Sequence, residues 1–142
     1  MTVPLHHERS VVSKSFIDRD YTDTNHPIAS CELEAPGGRC SVSSPTDAQR
    51  TVQVALGISR ESVADQLGIS SDRSATFNGV GSGCTFPKDK SGRMTIAPRG
   101  VRYQYRIQDK VTQLGPDGLS THTTTSAWLN AFDPDTSGFA CA

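Results

Sequence analysis

The chain has 142 residues, enough for one domain, with 35% apolar and 6% aromatic side chains and a net charge of −1. That composition leaves a thin core for the length, and its Ser, Thr and Gly content suits strands and turns better than a helical bundle. The mixed charges exclude the clustered, uncompensated Lys and Arg of a nucleic-acid binder, and no run of roughly eighteen apolar residues offers a membrane span.

Residues 1–30 are polar and poor in core formers. Only Val11-Val12-Ser13-Lys14-Ser15-Phe16-Ile17 offers a strand, and residues 18–27 supply turn and cap chemistry without periodicity. The segment is expected as a flexible N-terminal arm, with residues 31–142 as the β-rich domain. Such an arm orders on a partner by adding an extended segment to a sheet edge or cleft, with Val12, Phe16, Ile17 and Tyr21 as candidate contacts. The chain opens Met1-Thr2-Val3-Pro4 with no basic-plus-apolar leader: either a signal has been removed, which is the expectation, or the protein is cytosolic with free thiols.

Four cysteines, Cys31, Cys40, Cys84 and Cys141, form an even set with no CxxC pair. Zinc ligands usually come in pairs two to four residues apart, so two structural disulfides and an oxidising compartment are expected instead. Cys31, Leu33, Cys40 and Val42 lie on a period of two around Pro36-Gly37-Gly38. If the ends pair around that turn, Cys31 and Cys40 face each other within bonding reach. Cys84–Cys141 is then the second bond; the other pairings of the four stay open at this level.

Thr51-Val52-Gln53-Val54-Ala55-Leu56 alternates as a strand. The clearest helix signal follows, from Ser59 to Gly68: Ser59 as N-cap, Ile58 against Val63 as a hydrophobic staple, and Gly68 just past the end. Two turns are too short to hold without tertiary packing, so the helix is expected to plug a sheet face. Residues 74–86 read as a strand interrupted by Gly79, Gly81 and Gly83, implying a bulge or close backbone approach. A polar turn at 87–92 precedes a short strand at Met94 and Ile96. Val101 to Gln108 is the best strand, with Val101, Tyr103, Tyr105 and Ile107 inward and Arg102, Gln104, Arg106 and Gln108 outward. Gly115-Pro116-Asp117-Gly118 is a turn, residues 119–132 return as a strand, and a tail ends at Cys141. The expected fold is mainly β: an antiparallel sandwich or open barrel with one short helix, two disulfides and an extended arm.

Catalytic signatures are missing from the sequence. His6, His7 and His26 lie in the polar arm, His122 sits among threonines, and no GxSxG or HExxH motif accompanies them. Gly79-x-Gly81-x-Gly83 has no helix after it to receive a pyrophosphate. Asp133 and Asp135 flank a proline and read as a turn. The expectation is a protein that is not an enzyme and takes no cofactor and no metal. Arg102 and Arg106, flanked by Arg99 and Lys110, form a basic stripe that is the second candidate for partner binding. The alternative reading is an inhibitor of a hydrolase, acting through the Cys-anchored loop Phe86–Lys90, because a pre-organised loop binds at lower entropic cost.

Four stretches carry a family resemblance: Thr51 to Leu67, Gly83-Cys84-Thr85-Phe86-Pro87-Lys88, Arg102-Tyr103-Gln104-Tyr105-Arg106-Ile107, and Ala127-Trp128-Leu129-Asn130-Ala131-Phe132. Together they resemble small secreted proteins of Streptomyces and relatives, and within that set the adaptor subunit of umbrella toxin particles. The resemblance covers roughly residues 31–141. It implies a secreted, non-enzymatic adaptor that joins a toxin stalk to lectin-like subunits and inserts its extended N-terminal segment into a cleft of the lectin-like subunit. The chain on its own is expected to be a monomer.

Overall fold

The structure, a computed structural model, describes residues 3–33, 37–85 and 92–141. It is mainly β: β1 (Val3–Thr22), β2 (Ala29–Leu33), β3 (Arg39–Ser41), β4 (Thr46–Gln49), β5 (Thr51–Val52), α1 (Arg60–Leu67), β6 (Ser74–Phe77), β7 (Gly83–Thr85), β8 (Gly92–Gly115), β9 (Gly118–Thr125) and β10 (Leu129–Cys141). The largest sheet runs β1-β8-β10-β5, with β2 and β9 also paired to β8; β3-β7 and β4-β6 form two-stranded sheets. The sheets are antiparallel and open, not closed into a barrel. The mainly β class, the single short helix and the two disulfides read from the sequence are all present.

Two compact units divide the chain. The first comprises Met1–Ile17, Val52–Ser71 and Tyr103–Ala131. Its core gathers Ile58, Val63, Ala64, Leu67, Ile69, Tyr105, Ile107 and Ala131, with Val11, Val52 and Leu129 packed beside them. The helix forms where its caps dictate. Ser59 is extended, and its Oγ accepts the Ser62 N–H at 3.1 Å. Gly68 is left-handed at φ 77°, and the Ile69 N–H reaches back to the Ala64 carbonyl at 3.0 Å, the Schellman pattern. Val63, Ala64 and Leu67 turn inward, and burying each of the two larger side chains contributes roughly 1.5–3 kcal/mol. Tyr105 is fully buried, and its hydroxyl donates to the Gln53 carbonyl at 2.5 Å.

The second unit comprises Asp18–Thr51, Asp72–Arg102 and Phe132–Ala142. Ile28, Cys40, Val42, Ala48, Phe77, Cys84, Met94 and Ile96 form its core, with the Phe139 ring edge-on to Phe77 at 6.1 Å. Both disulfides are here, Cys31–Cys40 and Cys84–Cys141, with Cα separations of 5.6 and 6.2 Å. β3 and β7 pair so that Cys40 lies opposite Cys84 and Ser41 opposite Gly83. A Cβ on Gly83 would run into the Cys40 carbonyl and Ser41 Cα, which is the close backbone approach expected of this Gly-rich stretch.

Four stretches differ from the elements expected of the sequence. Residues 1–30, expected as an arm, hold the 20-residue strand β1, paired with β8. The strand expected over 51–56 stops at Val52. Leu56 and Gly57 both take positive φ (57° and 80°), and the Ile58 N–H closes on the Ala55 carbonyl in a tight turn. The strand expected over 74–86 is two strands, because Gly81 at φ 89° and the Ser82-to-Gly79 hydrogen bond turn the chain between them. The strand expected over 119–132 breaks at 126–128, and the tail beyond it is strand β10.

Candidate binding surface

In the first unit, β8 turns through Pro116-Asp117 into β9, with Gly115 opposite Gly118 and Gln108 opposite Thr125 at the far end. Alternation then sorts the hairpin into two faces. Gln108/Thr125, Lys110/Thr123, Thr112/Thr121 and Leu114/Leu119 share one face, where the Thr112 and Thr121 hydroxyls meet at 3.4 Å. Asp109/Thr124, Val111/His122 and Gln113/Ser120 share the other. All eight residues of β9 are exposed. The apolar pair at the tip, Leu114 and Leu119, is 45% and 68% exposed.

Trp128 stands at the base of this hairpin, in the break between β9 and β10. Ser126 shapes the break: its N–H donates to the Ile107 carbonyl at 2.8 Å, and its Oγ accepts the Ile107 N–H at 2.9 Å and donates to the Ala127 carbonyl at 2.8 Å. The chain leaves the ladder there, and the only tryptophan of the sequence remains 45% exposed. Arg106 stacks on it, guanidinium carbon 5.0 Å from the ring centroid. Such a cation–π contact contributes about 0.5–1 kcal/mol at an exposed site and holds both side chains in place. The Arg106 Nε is enclosed without a hydrogen-bond partner among the described residues, so the chain itself does not fully satisfy the guanidinium.

The other nominated residues fall as follows. Val12 is half-buried on β1, and Ile17 is 42% exposed. The Phe16 side chain and the loop Phe86–Lys90 lie outside the described residues. Tyr21 belongs to the second unit, edge-on to Phe132 at 5.6 Å and covered by the Arg102 guanidinium at 5.2 Å. Of the basic stripe, Arg99 is paired to Asp20 at 3.4 Å, and Lys110 is exposed. Trp128 was not singled out by the sequence reading, which placed it inside a continuous strand. Its being the lone tryptophan of the sequence was the available signal.

The second unit also has a polar cleft of about 440 Å³, lined by Arg19, Asp20, Arg99, Asp133, Asp135 and Phe139. Its charges are largely paired within the chain: Arg99 to Asp20, and Asp133 to Arg50 at 2.8 Å. Hydrogen bonds from the N–H and hydroxyl of Ser137 hold the Asp135 carboxyl below the usual carboxylate range. Among the described residues, no group of three His, Cys, Asp or Glu side chains is placed to hold a metal ion. None of the helices found there is long and apolar enough to cross a membrane. His7 and Arg9 on β1 both engage Asp109, the histidine by a hydrogen bond and the arginine at 3.6 Å, and His26 bonds the buried Asp23 at 2.9 Å.

No protein-family model, no curated protein and no solved structure matches the chain. The class rests on the fold alone: a mainly β, disulfide-stapled protein with an exposed aromatic–cation surface.

Proposed function

We propose that the chain is a secreted, non-enzymatic binding protein that docks another protein through the surface made by Trp128 and Arg106. The observation that carries this reading is the stack itself: an exposed indole held under a guanidinium that the chain leaves partly unsatisfied. Tryptophan and arginine are the residue types that dominate protein-interface energetics, because each offers a large, pre-oriented surface at low entropic cost. Two disulfides are compatible with an oxidising compartment, which supports secretion.

The particular role we propose is that of an adaptor joining subunits of an antibacterial toxin complex, on the strength of the family resemblance above. The exposed Ile17 on β1 extends the candidate contact of the N-terminal segment. The test uses the tagged protein as bait in the culture filtrate of a toxin-producing actinobacterium. Wild type should retain a stalk or lectin-like subunit that the Trp128→Ala and Arg106→Ala variants release. Retention of the same subunit by both variants would remove this surface from the account.

A further inference from the structure

The hydrogen-bonding phase of β9 follows from two observations. The Ser126 N–H donates to the Ile107 carbonyl, which makes 107/126 a hydrogen-bonded pair, and the two-residue turn closes on the Gly115/Gly118 pair. Bonded and non-bonded pairs alternate along an antiparallel ladder. The backbone groups of Gly118, Ser120, His122 and Thr124 therefore face β8, and those of Leu119, Thr121, Thr123 and Thr125 face outward. Among the described residues β9 pairs with β8 alone, so this outward edge offers four N–H and C=O sets in a row.

Exposed edges are normally blunted by Lys, Pro, inward charges or a bulge, since an open ladder recruits another strand. β9 has none of these. Gly-Leu-Ser-Thr-His-Thr-Thr-Thr contains no acidic or basic residue apart from one histidine, no proline, and four β-branched threonines suited to a pleated surface.

The edge is also complementary to itself. In an antiparallel pairing about a two-fold axis through His122, Thr121 exchanges bonds with the partner's Thr123 and Leu119 with the partner's Thr125. All four outward residues of each copy are then satisfied, for about eight hydrogen bonds in all. No other symmetric register uses every one of them. Charge permits it, because no like charges are brought together along the edge. Lys110 lies one strand further in, on the opposite face from His122. The side chains facing the His122 side are Val111 directly across, Asp109 and Gln113 beside it on β8, and Ser120 and Thr124 beside it on β9. Asp109 is already engaged by His7 and Arg9 of β1.

We propose that two copies of this chain join β9 to β9, antiparallel, with His122 opposite the partner's His122 at the two-fold axis. The hairpins then form a continuous four-stranded ribbon, β8-β9-β9-β8. The pairing involves the edge of the hairpin and not the Trp128–Arg106 stack, so it stands apart from the binding surface proposed above.

Sedimentation velocity over about 1 to 200 µM, a range that reports mass-action assembly, tests it. Wild type should shift with concentration from 15.2 kDa to twice that mass. Thr123→Pro removes an outward donor without touching the β8–β9 ladder and should hold the chain monomeric. His122→Lys sets two ammonium groups opposite each other across the axis, at roughly 5 Å between Cβ atoms, and should do the same. His122→Val should remain dimeric. Circular dichroism checks that the variants fold, and His122→Lys decides alone if the proline variant does not. A wild type that stays monomeric at every concentration overturns the proposal, as does a dimer that survives His122→Lys.

Discussion

Cys40 and Cys84 face each other across β3 and β7, yet each is bonded to a different strand: Cys40 to Cys31 on β2, and Cys84 to Cys141 on β10. A three-residue strand pair is thereby tied at its centre to two further strands. The second unit thus has a covalent frame beside its packed core.

The two bonds contribute unequally. The Cys31–Cys40 loop has a sequence separation of 9 and the Cys84–Cys141 loop one of 57. In the chain-entropy model they stabilise by about 2–3 and about 4 kcal/mol. Replacing Cys84 and Cys141 by alanine should therefore lower the urea midpoint more than replacing Cys31 and Cys40. Equal shifts, or no shift on reduction, would contradict this assignment.

Gly83→Ala should destabilise by about 3 kcal/mol or more, because the added Cβ overlaps backbone on β3 that cannot step aside without breaking the Cys40–Cys84 register. Gly118→Ala, at φ 103° with open space around it, should cost only the backbone strain, about 1–2 kcal/mol. Thermal melts of the two variants distinguish steric overlap from conformational strain.

Burial pushes the Tyr105 phenol up to about 12. The unfolded chain ionises near 10, so above that pH it sheds a proton that the folded chain retains. The stability tied to this group is complete below pH 10 and falls away between pH 10 and 12, by on the order of 2 kcal/mol. Tyr105→Phe should flatten that alkaline limb. At neutral pH it should cost about 1–2 kcal/mol, since the Gln53 carbonyl loses its hydroxyl donor. Denaturation midpoints from pH 8 to 12 for both proteins check the sign.

The parts of the fold legible in the sequence are those where one local rule acts alone. Tyr105 and Ile107 alternate with arginines and glutamines on β8, and both are buried. Ser59 and Gly68 bracket the helix because capping needs only neighbouring backbone. The Cys31–Cys40 bond was expected and is present, but among the described residues the hairpin expected to make it is not: β2 pairs with β8 and β3 with β7, so the bond joins strands of two different sheets. What escaped depends on partners distant in sequence. β1 buries few of its side chains and passes through Ser13 at φ 55°, so its alternation is faint although β8 supplies a ladder. β10 contains Pro134 and Gly138, which on their own read as a tail, yet it runs to Cys141 as a strand. Of the candidate site, Arg106 was legible from its outward position on β8. Trp128 was not, because only the Ser126 bonds to Ile107 reveal that the strand breaks there.

The most direct measurement of the central claim is the dissociation constant for the captured partner, determined with wild type and with Trp128→Ala. Loss of an interface anchor costs about 2 kcal/mol or more, so the account predicts a constant roughly 30-fold weaker or worse for the variant. A variant that folds and binds within twofold of wild type would contradict it.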